Sequence, residues 1–180
     1  MLGGRRLANH IRMAADPQKH PGTVGAGPVS LRPERLEDEP FLFEVYASTR
    51  AEELALTGWD APTRLAFVQM QFRAMRTGYA GQFPKAEFSV LVQAGRPVGR
   101  IVVDRSEEAI CLVDLALLPE YRGLGIGTSL MRELIAEAGK VGKPIQLHVF
   151  KRTRPIQWYA RLGFVKTGET GAYDRLEWRP

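Results

Sequence analysis

Leu115-Ala-Leu-Leu-Pro-Glu-Tyr-Arg-Gly-Leu-Gly-Ile-Gly-Thr128 carries the backbone from an apolar strand, through a glycine-rich turn, into a helix. Gly123, Gly125 and Gly127 have no Cβ, so their main-chain N–H groups can come close to an anion. The first turn of the following helix adds unpaired donors and the positive end of its dipole. Arg122 sets a planar cation beside them, and the whole reads as a pyrophosphate cradle.

Two other phosphate motifs fail against the letters. A P-loop needs a Lys before its Ser or Thr, and here Thr128 follows Gly127 directly. A dinucleotide fingerprint needs G-x-G-x-x-G, whereas these glycines are spaced by two throughout. The bland reading, a helix that happens to start after a flexible turn, stays open on this segment alone.

A second motif downstream decides between them. Arg122-x-x-Gly125-x-Gly127 resembles the R/Q-x-x-G-x-G/A acyl-CoA signature of the GCN5-related N-acetyltransferases (GNAT). Arg152-Thr-Arg-Pro-Ile-Gln-Trp-Tyr-Ala-Arg-Leu-Gly-Phe164 is similar to that family's N-x-x-A-x-x-x-Y-x-x-x-G-F, with Tyr159, Gly163 and Phe164 on the matching positions. Arg152 replaces the usual Asn, and Pro155 replaces the usual Ala. Proline is at home in a helix's first turn, where a missing N–H costs nothing. The resemblance spans roughly Val29 to the C-terminus and is strongest from Leu112 to Phe164.

Composition agrees with one folded domain. The chain has 180 residues, 44% of them hydrophobic, and no apolar run long enough for a membrane helix. Its single cysteine, Cys111, sits in an apolar stretch and reads as a small buried hydrophobe, consistent with a cytoplasmic protein. His10, His20 and His148 lack ligand spacing, so no metal site is expected. Of the net charge of +5, residues 1–28 hold +3, from Arg5, Arg6, Arg12 and Lys19 against Asp16. These residues read as a disordered tail or extension ahead of a domain at 29–180, which is itself close to neutral. Nucleic acid is therefore not the expected partner, although a basic tail could touch acidic surfaces.

The elements read in order. Val29 to Arg32 alternates as a strand, Pro40 to Thr49 is a helix behind an acidic first turn, and Ala61 to Gly78 shows helical periodicity. Phe88 to Gln93, Pro97 to Val103 and Ala109 to Leu118 form an antiparallel meander. Thr128 to Lys140 is the helix after the loop, followed by a strand at Ile145 to Val149 and a short helix at Pro155 to Leu162. Phe164 to Val165 and Tyr173 to Trp178 close the sheet. The expected fold is α/β (α+β): a GNAT-like mixed, mostly antiparallel sheet of about six to seven strands flanked by about four helices. A splayed parallel strand pair would lie at the acyl-CoA site.

The resemblance implies acetyl-CoA as cosubstrate and no metal. The pantetheine arm would pair with the main chain at Leu115 and Leu117, while Arg122, Gly123, Leu124, Gly125, Ile126, Gly127 and Thr128 take the pyrophosphate. A primary amine, on a small molecule or an exposed protein group, would attack directly, with a main-chain N–H near Leu117 polarising the carbonyl. Tyr159 is the expected acid for the departing thiolate, because the matching family position carries the phenol. Asp114, the one carboxylate inside Ile110 to Leu118, is the base candidate or else a solvent-facing alternate position. His148 lines the acceptor side or is a satisfied structural histidine. Trp59, Phe67, Gln71, Tyr79 and Trp158 read first as packing, and Lys151, Arg152 and Arg154 as attraction for phosphates or a solvated turn. In the family the closing strands often pair across a homodimer. The alternative to an N-acetyltransferase is a non-catalytic acyl-CoA-binding sensor or interaction module.

Overall fold

The computed structural model describes residues 27–151 and 155–180. Along the chain run β1 (Val29–Pro33), α1 (Glu39–Ala55), α2 (Ala61–Gln82), β2 (Glu87–Gln93), β3 (Arg96–Arg105) and β4 (Ile110–Leu117). Then come α3 (Ile126–Val141), β5 (Ile145–Phe150), α4 (Pro155–Arg161), β6 (Val165–Thr170) and β7 (Tyr173–Trp178). The strands make one sheet in the order β1-β2-β3-β4-β5-β7-β6. Every neighbouring pair is antiparallel except β4 and β5. This is the mixed sheet expected from the sequence. The expectations for residues 1–26, Arg152 and Arg154 lie outside the described residues.

Among the boundaries that differ from the sequence reading, four have a clear physical reason. Helix α1 continues to Ala55 because Arg50-Ala-Glu-Glu-Leu-Ala55 is made of good helix formers and no breaker precedes Gly58. Helix α2 passes through Gly78 to Gln82 because Tyr79 is buried against Val102 and Val113, and that packing outweighs the cost of a helical glycine. Helix α3 starts at Ile126 rather than Thr128, which puts Ile126 in the core and Gly127 in the first turn. Strand β6 extends to Thr170, and its polar Lys-Thr-Gly-Glu-Thr stretch conceals an exposed edge strand.

Two apolar layers clamp the sheet. On one face, α3 and α4 bury Leu130, Met131, Leu134 and Tyr159 against Leu112, Leu115, Ile145 and Leu147. On the other, α1 and α2 bury Leu42, Tyr46, Val68 and Phe72 against Val90, while Val45 packs on Ala116. Arg32 holds the start of α1 to β1 through two 2.6 Å hydrogen bonds to the Asp38 carboxylate, which also accepts the Arg35 N–H. Asp60 caps α2 by accepting the Thr63 N–H at 2.9 Å.

A bulge in β4 positions the site. Opposite β3, the register runs Leu112↔Val103 and then Asp114↔Val102, so Val113 is the extra residue. Leu112 therefore faces the α3 core, and so do Leu115 and Leu117, while Val113 and Ala116 face the α1/α2 layer. Beside this bulge the parallel pairing ends: Ile110 to Leu112 match Ile145 to Leu147, and no β4–β5 pair follows. Val113 to Leu117 and His148 to Phe150 thus face one another across an open gap.

Strand β3 backs β4 at very close range. A Cβ on Gly99 would lie 2.4 Å from the Ala116 carbonyl oxygen and 2.7 Å from Leu117 Cδ2. We expect Gly99→Ala to lose about 1–3 kcal/mol of stability in urea unfolding, because backbone must move to admit the methyl. The Arg32 hydrogen bonds bring the Asp38 pKa down to about 2. A folded-state pKa below the unfolded one stabilises above the unfolded value, so this contribution is complete above about pH 4 and fades as pH falls toward 2. Asp38→Asn should therefore cost about 1–2 kcal/mol at pH 6 and converge on the parent protein at pH 2 to 3 in the same unfolding assay.

Candidate active site

The glycine-rich turn forms the cradle through its backbone. Gly123 has φ 73° and Gly125 φ 85°, left-handed values that residues with a Cβ rarely adopt. A Cβ on either would meet nothing within 4 Å, so the glycines are required by conformation while the space before them is open. The first α3 bond runs from the Ser129 N–H to the Gly125 carbonyl at 2.9 Å. The N–H groups of residues 123–128 find no acceptor among the described residues. Six donors at a helix N-terminus, on an open surface, make an anion site suited to a diphosphate.

Arg122 is placed differently from the sequence reading. Its Nε donates to the Leu117 carbonyl at 2.8 Å and its Nη2 to Ser48 Oγ at 2.7 Å, tying the end of β4 to α1. Burial lowers its pKa. The guanidinium therefore braces the end of β4 against α1. Thr128 accepts a 3.0 Å hydrogen bond from Trp158 Nε1, which locks α4 onto the first turn of α3.

The Tyr-x-x-x-Gly-Phe motif is a helix stop. Phe164 N–H bonds the Tyr159 carbonyl at 3.1 Å and Gly163 N–H bonds the Ala160 carbonyl at 3.0 Å, with Gly163 at φ 91°. This pair of bonds is the Schellman closure, whose companion hydrophobic contact here joins the Tyr159 and Phe164 rings at 5.4 Å. Trp158 packs edge-on to Tyr159 from the other side at 4.7 Å. The Tyr159 side chain is thus fully enclosed, yet its hydroxyl has no hydrogen-bond partner among the described residues. Burial, together with the Asp114 charge, pushes its pKa well above the usual phenol value.

Asp114 is 2% exposed and sits against Arg100, with Arg100 Nε 2.5 Å from its Oδ2. The atoms are close enough for an ion pair but poorly aligned for a hydrogen bond, and both appear among the unsatisfied buried atoms. Burial raises the Asp114 pKa against the pull of Arg100. Arg100 also donates to Met75 Sδ and stands 5.8 Å from the Tyr46 ring centroid. Arg50 reaches the same ring and donates to the Tyr46 hydroxyl at 3.2 Å. The base candidate is therefore sealed against a guanidinium on the α1/α2 side. The sequence reading missed Arg100, Arg50 and Ser48. Arg100 carried a signal equal to that of Asp114, a lone charge inside Pro97 to Val103.

His148 is half-buried and the first residue of β5 beyond the last pair with β4, and its Nδ1 has no partner among the described residues. Burial pushes the Cys111 thiol up to about 12, which keeps it protonated and inert. Lys151 pairs with Glu169. Trp59 meets Phe67 edge-on, and Gln71 accepts from the Tyr46 hydroxyl at 3.4 Å. Among the described residues, no group of three or more His, Cys, Asp or Glu could hold a metal, and no helix is long and apolar enough to cross a membrane.

A family model for the acetyltransferase (GNAT) domain matches residues 84–166, from just before β2 into β6. No curated protein matches the chain. Among solved structures, the PaiA N-acetyltransferase of Thermoplasma acidophilum, in complex with coenzyme A, aligns at TM-score 0.64 and 18% identity, over 85% of this chain and 99% of that one. The ribosomal-protein-S18-alanine N-acetyltransferase of Escherichia coli aligns at 0.56 and 19%, over 83% and 91%. A GNAT family acetyltransferase of Elizabethkingia anophelis with acetyl-CoA bound aligns at 0.55 and 14%, over 84% and 98%. The chain has the fold of these acetyltransferases, and the stretch that matches the GNAT model, residues 84–166, contains both motifs of the sequence resemblance.

A Cβ on Gly163 would stand 3.2 Å from Trp178 Cδ1 at a φ that disfavours side chains. We expect Gly163→Ala to cost about 1–3 kcal/mol in thermal or urea unfolding and to loosen the Tyr159 ring, read as a rise in tyrosine solvent accessibility.

Proposed function

We propose that residues 29–180 form an N-acetyltransferase domain that moves an acetyl group from acetyl-CoA to a primary amine. The observation that carries this reading is a pair of unsatisfied elements. Among the described residues, six main-chain N–H groups lack acceptors at the α3 N-terminus, and a fully buried phenol that feels the Asp114 charge on β4 lacks a partner. A buried hydroxyl without a hydrogen bond costs about 1–3 kcal/mol, a cost a protein keeps for a ligand that arrives later.

In this reading the main chain of Leu115 and Leu117, which lies beyond the last β4–β5 pair, meets the amides of the pantetheine arm, as an added strand would. The N–H groups of Gly123, Leu124, Gly125, Ile126, Gly127 and Thr128 receive the diphosphate. Acetyl-CoA supplies an acyl carbon already activated by a thiol leaving group. A main-chain N–H near Leu117 stabilises the oxyanion of the tetrahedral species, and the Tyr159 hydroxyl donates to the sulfur as it leaves. A phenol whose pKa is raised keeps its proton through the neutral range, so the donor is always loaded. Asp114 holds Arg100 in place on the acceptor side and, with Arg50, fixes the charge pattern that an incoming amine meets.

Acetyl-CoA should raise the melting temperature of the protein by ligand linkage, by several degrees at a hundredfold excess over its Kd. Tyr159→Phe should lower kcat by about 10- to 1,000-fold with KM for acetyl-CoA little changed. The same variant should be as stable as the parent or more so, since it removes an unpaired buried hydroxyl. No shift with millimolar acetyl-CoA, or full turnover in Tyr159→Phe, would overturn the reading.

A further inference from the structure

We propose that His148 is the catalytic base that takes the proton from the acceptor's ammonium group, which deepens the acyltransferase reading above and rests on it. The residue's place in the sheet comes first. Ile145, Leu147 and Val149 point into the α3 core, so by strand alternation Gln146, His148 and Phe150 stand on the opposite face. That is the face to which the bulge at Val113 turns Ala116, and on which α1 and α2 build the wall beyond β4. His148 is also the first β5 residue past the parallel pairing, so it borders the gap itself.

The neighbours of His148 are already committed, and its ring is not. Gln146 donates to Glu177 Oε2 at 2.9 Å, and Phe150 stacks edge-on with Tyr173. Arg175, the register partner of His148 on β7, directs its guanidinium to Thr167 on β6. Across the gap Asp114 is held by Arg100. The buried His148 Nδ1 has no hydrogen-bond partner among the described residues. The charged group that acts on the ring is Arg175, its register partner on β7, while Glu177 on β7 and Cys111 on β4 stand opposite the preceding same-face residue, Gln146. Burial first and Arg175 second lower the histidine pKa, so at neutral pH the ring is uncharged and able to accept a proton.

The chemistry balances without any further reagent. The ammonium N–H bond breaks, its proton goes to the imidazole, and the freed nitrogen lone pair forms the C–N bond to the acyl carbon. The C–S bond then breaks with its electron pair moving to sulfur, which gains a proton from the Tyr159 hydroxyl. The phenol recovers its proton from the new amide nitrogen, and the imidazolium releases its own to solvent.

The test uses the full chain and the amine that releases thiol fastest from acetyl-CoA in a panel of primary amines. His148→Gln should lose about 10²-fold in kcat with that amine at pH 7 and lose the acidic limb of the pH–rate profile. Its melting-temperature rise with acetyl-CoA should match the parent's. With hydroxylamine as acceptor, already uncharged at neutral pH, parent and variant should react alike. In His148→Ala, added imidazole should restore turnover, which a purely structural role would not allow. Unchanged kcat and pH profile in His148→Gln, or an equal loss with hydroxylamine, would overturn the assignment of His148 while leaving acyl transfer intact. Absence of both the acetyl-CoA shift and thiol release in the parent would instead remove the acyltransferase reading and this assignment together.

Discussion

A parallel strand pair that stops after three residues leaves the following β4 and β5 main chain without each other as hydrogen-bond partners, and the candidate site is arranged around that interruption. Main-chain donors and acceptors inside a sheet are normally saturated, so a ligand rich in amides finds there what a missing strand would have filled. The interruption is actively held open. The bulge at Val113 bends β4, Arg122 ties the Leu117 carbonyl to Ser48 on α1, and Trp158 pins α4 to α3 through Thr128.

The electrostatics divide along the same line. At the glycine-rich turn the described residues offer main-chain dipoles, while Arg122 is bonded inward to the Leu117 carbonyl and Ser48. The α1/α2 side contains full charges, Arg50 and Arg100 with Asp114, packed round the Tyr46 ring. Such a division suits a reaction in which one substrate carries a diphosphate and the other brings a charged nitrogen. In the proposed mechanism the proton transfers fall to two groups that are uncharged at neutral pH, Tyr159 and His148.

Much of this was legible in the sequence, and what was hidden has identifiable causes. The glycine-rich turn could be read from local spacing, since turns use fixed residue types, whereas the parallel pair and the Tyr-Gly-Phe element came with the family resemblance. Whether Asp114 faced a cleft or solvent could not be read, because a one-residue bulge reverses the alternation after Val113. The direction of the Arg122 side chain depended on Ser48, 74 positions away in the chain. Helix α2 ran past Gly78 because Tyr79 found a tertiary pocket, which local propensity cannot anticipate. Strand β6 was underestimated since an exposed edge strand carries no apolar stripe.

Gly99 has a mechanical meaning. With only hydrogen on its α-carbon, β3 lies so near the Ala116 carbonyl that β4 has no room to retreat toward it. On that side of the sheet β1 to β4 form one run of antiparallel ladders of five to seven register pairs each, whereas the ladder that joins β4 to β5 has three, so this seam offers the fewest strand hydrogen bonds to separate.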